Sequence, residues 1–457
     1  MGGGELRRRE PQPLLDDLKL RVLRSSTLCP SEPTKKRLMF LSNIDQVLNF
    51  GVDTVHFFAA GEPEFGFEAV EEILRSAVER LLVAYDFLAG RLRVEEGRLV
   101  IDCNRAGVGF AVAESGLRID ELGELEYPNP IFRQLAAAGL PEMEKGFGLK
   151  MDDHPLCSFQ VTSFKCGGFA MGISNNHATF DGISFKAFLQ NLAALAGGGN
   201  LATVPFTDRR LLSVRSPPRV TFPHPELVEA SAALSSMLEP SPADLDFRLF
   251  RFSAADIAAL KHLAHPHASR PTSFNVVVAH IWRCKSLCAA PAAPAEPEKT
   301  STVLYAVDIR GRLRPPLPPE YAGNAVLTAY GEATAAELAA GPFWRLVEAV
   351  AKGAERMQDE YARSVIDWGS LHNGYPKGDI FVSSWWRLGF ADVEYPWGKP
   401  LYTCPVAHPR RDIVLLFPSI AGEDNAGVNA LVALPQEDLD RFGKLLHNLL
   451  PQCGSDA

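Results

Sequence analysis

Residues 174–185 read SNNHATFDGISF. They continue from CSFQVTSFKCGGFAMGIS (157–174), which reads as two strands joined by a turn at Gly167-Gly168. Beyond them Phe185, Phe188, Leu189, Leu192 and Leu195 recur at helical spacing until Gly197-Gly198-Gly199 stops the pattern. The stretch is therefore a strand end turning into a helix, a junction at which α/β proteins often expose reactive groups. His177 stands just past the strand and Asp181 four residues later, followed by Gly182, whose small size lets the backbone come close to a channel.

Strands and helices alternate on both sides of this junction. Phe67, Val70, Ile73, Leu74, Ala77, Val78, Leu81 and Leu82 form one apolar stripe and predict a helix over 67–85. RLRVEEGRLVIDCN (91–104) predicts a hairpin around Glu96-Gly97. Residues 200–245 hold seven of the prolines (205, 217, 218, 223, 225, 240 and 242) and little periodicity, which marks a crossover between lobes. FRLFRF (247–252) then reads as a strand, and Ser253 with Asp256 as a capping box opening a helix. A second helix is predicted over 273–288, a low-complexity loop over 289–300 and a strand within 301–312. Two strands around 422–426 and a closing helix at 435–450 complete the chain.

At 457 residues the chain exceeds one ordinary core. The reading is an α/β fold with mixed sheets in two lobes, 1–199 and 246–457, joined by the crossover 200–245. No internal repeat is strong enough to make the lobes homologous. Residues 1–15 read as disordered.

A formal net charge of -9 excludes a globally basic face for nucleic acid. The eight cysteines lack any CxxC pair or zinc-like Cys/His array, so reduced cytosolic thiols are expected. MGGGELRRREPQP has no apolar h-region, Leu6 breaks the myristoylation pattern, and the chain ends SDA rather than SKL. There is no apolar run of membrane-spanning length. The expectation is a cytoplasmic protein with no bound metal.

A histidine at such a place is either a satisfied structural residue or a group with chemistry to do. Metal ligation is disfavoured, because His-x3-Asp offers two ligands and no third stands at useful local spacing. The HExxH and GxSxG patterns are absent, which removes the zincin and nucleophile-elbow readings. What remains is His177 as a general base, able to take a proton from a hydroxyl or amine near neutral pH. Asp181 would either orient the imidazole or brace the turn by pairing with a distant arginine.

The pattern NHxxxDG is accompanied, in order along the chain, by FLSNIDQVLNFGVDTVHFF (40–58), YDFLAGRLR (85–93), AHIWRCK (279–285), YAVDIRGRLRPPLPPEYAGNAV (305–326) and VSSWWRLGFADVEYPWGKPLY (382–402). In this combination the chain resembles the plant BAHD acyl-CoA-dependent acyltransferases, near the hydroxycinnamoyl transferase branches. The resemblance implies two chloramphenicol acetyltransferase-like lobes with a solvent channel between them. It implies His177 as the base, and Asp181 turned from the channel towards an arginine, Arg310 first and Arg312 second.

The co-substrate it implies is an acyl-CoA, of hydroxycinnamoyl type, with a small-molecule hydroxyl or amine acceptor, no permanent cofactor and a monomeric enzyme of plant phenylpropanoid metabolism. Ser383, Ser384 and Trp385 are placed near the channel. Ser273 reads first as a helix N-cap and secondly as a CoA contact, and Trp282 as core. One block departs from the family. The usual DFGWG is here Glu394-Tyr395-Pro396-Trp397-Gly398. Family members with altered second motifs include non-catalytic partners of fatty acid elongation in wax synthesis, which stands as the alternative function. A retained structural role for Glu394, Trp397 and Gly398 with changed loop geometry is expected, since proline fixes φ and removes an N–H.

Overall fold

The computed structural model describes residues 15, 17–127, 129–137, 154–229, 245–265, 267–268, 271–289, 296–372, 374–406, 410–420 and 427–450. Most of residues 1–15, parts of the crossover and of the 289–300 loop, and the turn at 422–426 lie outside them.

The first half carries β1 (Leu20–Leu28), β2 (Leu38–Phe40), β3 (Gly51–Phe58), β4 (Arg91–Glu95), β5 (Arg98–Asp102), β6 (Val108–Ser115), β7 (Cys157–Ser163) and β8 (Phe169–Asn176). Its helices are α1 (Asn43–Gln46), α2 (Phe67–Ala84), α3 (Gln134–Ala137) and α4 (Gly182–Ala196). After the crossover, which contains β9 (Leu227–Glu229), come β10 (Asp246–Phe252), β11 (Thr300–Asp308), β12 (Val326–Thr334), β13 (Gly374–Pro376), β14 (Ile380–Ser384), β15 (Tyr402–Pro405), β16 (Ile413–Pro418) and β17 (Val428–Leu434). The second half also supplies α5 (Ala254–Ala264), α6 (Ser273–Ala289), α7 (Ala335–Ala340), α8 (Phe343–Arg356), α9 (Asp359–His372) and α10 (Gln436–Asn448).

Two mixed six-stranded sheets organise these elements, in the orders β1-β6-β7-β8-β3-β15 and β10-β17-β16-β14-β11-β12. The first takes its last strand, β15, from the second half of the chain, so the chain returns to the N-terminal sheet after building most of the other. Every residue of β8 is buried, as expected of a strand covered on both faces. Its alternation sends Phe169, Met171 and Ile173 into a core shared with α2 and α4, and Ala170 into a second cluster. That second cluster contains Val55 and Phe57 from β3, Tyr402 and Cys404 from β15, and Phe417 and Leu431 from the other sheet, and so ties the sheets together. Glu126, itself buried, adds a polar tie, bonding to Arg251 on β10 and to the Ser419 hydroxyl at 3.2 Å.

The predicted helices at 67–85, 273–288 and 435–450 and the hairpin at 91–104 are present with small boundary shifts. Ser253 caps α5 with the reciprocal Asp256 bond of a capping box. Trp282 is fully buried, with its indole N–H donating to Ser301 Oγ at 3.0 Å, so it is core. Helices α8 and α9 and the strands β1, β6 and β12 are additional to those expected. Helix α8 covers β12 with Leu346, Val347 and Val350, a helical spacing readable in the sequence.

Candidate active site

The turn after β8 is built by its own polar residues. Asn176 accepts from Ala178 N through Oδ1 at 2.9 Å, and its carbonyl accepts from Thr179 N at 2.9 Å and Thr179 Oγ1 at 2.6 Å. The His177 N–H donates to Phe50 O at 2.8 Å, one step past the β3–β8 ladder. The imidazole lies against the Phe50 ring, with centroids 5.1 Å apart. His177 is half-buried, and its Nδ1 is enclosed without a hydrogen bond among the described residues. Burial pulls its pKa below the ordinary histidine value, opposed by its own carbonyl, Asp181, Asn324 and Asp45. The ring is thus neutral around pH 7.

Asp181 is the N-cap of α4, its Oδ1 accepting from Ser184 N at 2.9 Å. The same oxygen lies 2.9 Å from Arg310 Nη2, and Oδ2 accepts from Ala325 N at 2.8 Å. Arg310 also donates to Ser184 Oγ at 2.8 Å and Gly323 O at 3.0 Å. Both charged partners are buried. Asp181 therefore brackets the start of α4 against the 310–325 segment of the second half. Arg312, the second choice, instead donates to Ala354 O at 2.7 Å on α8.

Three residues that local pattern did not single out grip the same turn. Arg209, from the crossover, donates through Nη1 to Ala178 O at 2.6 Å and through Nη2 to Thr179 O. Asn324 donates to His177 O at 2.9 Å. Asp45 Oδ1 accepts from Asn324 Nδ2 at 2.8 Å and forms an ion pair with Arg209, whose Nη1 is 3.0 Å away. Asp45 is the last residue of the buried Ser42 capping box, a signal present in SNID. Arg209 opens a single 3-10 turn (Arg209–Leu212) in the proline-rich crossover, and Asn324 sits in an irregular segment.

The remaining residues are dispersed. Gly182 has a different reason from proximity to a channel: a Cβ there would stand 2.5 Å from Leu388 Cδ1, in the loop after Trp385. Ser383 and Ser384 are half-buried at the end of β14, opposite Leu415 and Leu416. The Trp385 ring packs edge-on to Phe390 at 5.6 Å and abuts both the α2–α4 core and the inter-sheet cluster. Ser273 is not the cap of α6; Thr272 is, its hydroxyl accepting from Asn275 N at 3.1 Å.

The Glu394–Gly398 loop stands at the other end of α4. Pro396 Cγ is 3.9 Å from the position of a Cβ on Gly197, the C-cap of the helix that Asp181 opens. Fifteen helical residues put these ends about 22 Å apart. Tyr395 and Gly398 exchange backbone hydrogen bonds at 3.1 and 2.9 Å, forming a tight turn with Pro396 second and Gly398 fourth, at φ +105°. Those are positions that favour proline and glycine. The proline is accommodated because its missing N–H would not have been used. Trp397 stacks on Tyr395 at 5.3 Å and meets Phe58 and Phe169, so the loop belongs to the N-terminal core, while Glu394 is exposed.

A family model described as the Transferase family matches residues 18–448. The protein belongs to this family, the BAHD acyltransferases. Among BAHD relatives, the chain is 53% identical to Acyltransferase GLAUCE of Arabidopsis thaliana, covering 94% of this chain and 96% of the relative. It is 32% identical to an omega-hydroxypalmitate O-feruloyl transferase of the same plant, over 90% of this chain and 89% of that one. Among solved structures, vinorine synthase superposes with a TM-score of 0.73 at 23% identity, covering 94% of this chain and 98% of that one, which establishes the shared fold. The protein is thus an acyltransferase of a family that uses acyl-CoA as co-substrate, and a non-catalytic role is not favoured. Among the described residues of this BAHD chain, no helix is long and apolar enough to cross a membrane.

Proposed function

We propose that the protein moves a hydroxycinnamoyl group from its CoA thioester to an aliphatic hydroxyl acceptor, with His177 as general base. The observation that carries this reading is the placement of His177: a partly accessible imidazole, its pKa lowered by burial, on a turn whose carbonyls are held by buried donors. A base must be unprotonated and placed before the acceptor arrives. The acyl and acceptor classes are supported by the feruloyl and ω-hydroxypalmitate specificity named for a relative that matches almost end to end.

His177 Nε2 takes the hydroxyl proton as the acceptor oxygen attacks the thioester carbonyl. The tetrahedral oxyanion collapses with cleavage of the C–S bond, and the imidazolium returns the proton to the departing CoA sulfur. Thiolate leaves more readily than alkoxide because thiol pKa values lie near 8.5. Both substrates meet His177 in a ternary complex, reached along a channel between the lobes 1–199 and 246–457, in a monomeric cytoplasmic enzyme. Asp181, Gly182 and Arg310 keep the base's turn and helix in place, while Ser383, Ser384, Trp385 and Ser273 line the approach of the substrates.

Thiol release from feruloyl-CoA with an ω-hydroxy fatty acid as acceptor tests the reading. His177→Ala lowers the rate by about 10²–10⁴-fold. The acid limb of the wild-type rate profile lies below pH 6.5, because burial depresses the folded pKa. A His177→Ala enzyme as fast as wild type removes the base assignment.

A further inference from the structure

We propose that Asp45 is a positioning residue for acyl transfer: through Arg209 and Asn324 it holds the three successive carbonyls that fix where the His177 ring stands. The inference deepens the reading of His177 as base and rests on it.

One carboxylate oxygen organises the arrangement. Asp45 Oδ1 accepts from Asn324 Nδ2 at 2.8 Å and pairs with Arg209 Nη1 at 3.0 Å. Those two side chains pass the constraint to the carbonyls of residues 177, 178 and 179. Asp45 is itself oriented by Ser42, whose N–H and hydroxyl each donate to its Oδ2 at 2.8 Å. The clamp draws on three distant parts of the chain: α1, the crossover and the 310–325 segment. Asp45, Arg209 and Asn324 are all at most 1% exposed.

A buried Asp–Arg pair is a poor device for stability alone, because desolvating both charges offsets most of their attraction. Its geometric value is larger. The amide nitrogen of Asn324 faces two acceptors, Asp45 Oδ1 and His177 O, and donates to both. Asn324 Oδ1 and His177 Nδ1 are both enclosed with no hydrogen bond among the described residues, and the Asn324 side chain is among the groups that oppose the lowering of the His177 pKa by burial. Asp45 thus orients the amide that holds the His177 carbonyl and with it the backbone that presents the ring. The acidic groups facing His177 are Asp181, from the start of α4, and Asp45, from α1, each paired with a buried arginine.

Two variants separate positioning from folding. Asp45→Asn removes the charge and keeps the shape, whereas the pair Asp45→Leu with Arg209→Met removes both charges together, so that neither is left buried and unpaired. In both, kcat for thiol release falls by about 100-fold while KM for the acyl-CoA stays within about twofold. In Asp45→Asn the acid limb of the rate profile also moves to lower pH, since one negative charge opposite His177 is gone. Wild-type kcat and pH profile in these folded variants, alongside an inactive His177→Ala, overturn the role of Asp45 and leave the base reading intact. An active His177→Ala enzyme overturns both. Should neither Asp45 variant fold, Asn324→Ala decides: it keeps the Asp45–Arg209 pair and removes only the hold on His177, and an unchanged kcat overturns the proposal.

Discussion

Asp181 and Asp45 divide the labour of the site between them. Asp181 spends both oxygens on structure: Ser184 N and Arg310 on one, Ala325 N on the other. Asp181→Asn keeps an N-cap acceptor but leaves Arg310 buried beside an uncharged partner, Asp308 being its remaining carboxylate. Breaking such a pair costs about 3–5 kcal/mol. With unfolding entropy proportional to chain length, that lowers the melting temperature by about 3–5 °C. Calorimetry checks it, and an unaltered melt with lost turnover would make Asp181 a participant in the chemistry instead. The pattern HxxxD was legible in the sequence and located the histidine proposed as base. What spacing alone left open was whether the aspartate serves the imidazole or the backbone, because that depends on which distant arginine the fold delivers.

At the scale of elements, α4 sets the distances. Its N-terminus carries the capping aspartate and its C-terminus abuts Pro396. The Tyr395–Gly398 turn is therefore a packing device, and its departures from DFGWG act on stability. Pro396→Gly lowers stability by about 0.4–1 kcal/mol by freeing the unfolded chain. Tyr395→Phe, which removes a buried hydroxyl with no partner among the described residues, raises it by about 1 kcal/mol. Denaturant titrations read both signs. Thiol release stays at the wild-type rate in each, and a tenfold loss in either would tie this loop to the reaction. Periodicity revealed α2 and α4, whose apolar stripes face one core, and α6 and α10, whose stripes face another. It did not reveal the cap of α6, since Thr272 and Ser273 are equivalent by type and only the chain direction at residue 272 selects the former.

At the scale of the whole molecule, the two sheets share an apolar cluster, and buried histidines stand on either side of it. His56 lies in the first sheet, between Thr54 Oγ1 and Thr403 Oγ1, with its pKa pushed by burial down to about 3. His280, on α6, donates through Nε2 to Leu446 O at 3.0 Å, and its pKa is lowered, again mainly by burial, to about 4. Below pH 6.5 the unfolded chain protonates these rings and the folded chain does not, so the unfolded state binds more protons and stability falls with pH. Each ring contributes a slope of about 1.4 kcal/mol per pH unit, ending near its folded pKa. Urea midpoints measured from pH 7 to 5 should fall steadily, less steeply in His280→Gln; a flat profile would show that these rings are not neutral in the folded protein.

The sequence by itself determined the class of fold, the elements around SNNHATFDGISF and the position of His177, the proposed base. These are local consequences of a strand period, a helix period and a capping side chain. It also supplied, through blocks spread along the chain, the resemblance that the family match then established. The tertiary structure alone decided that β15 returns to the first sheet, that Arg310 rather than Arg312 meets Asp181, and that Asp45 meets the clamps of the His177 turn, 132 residues away, in two further segments distant in sequence. Hydrogen-bonded ladders and buried ion pairs between distant segments carry no periodicity. Their partners are chosen by where the folded chain brings donor and acceptor together out of water.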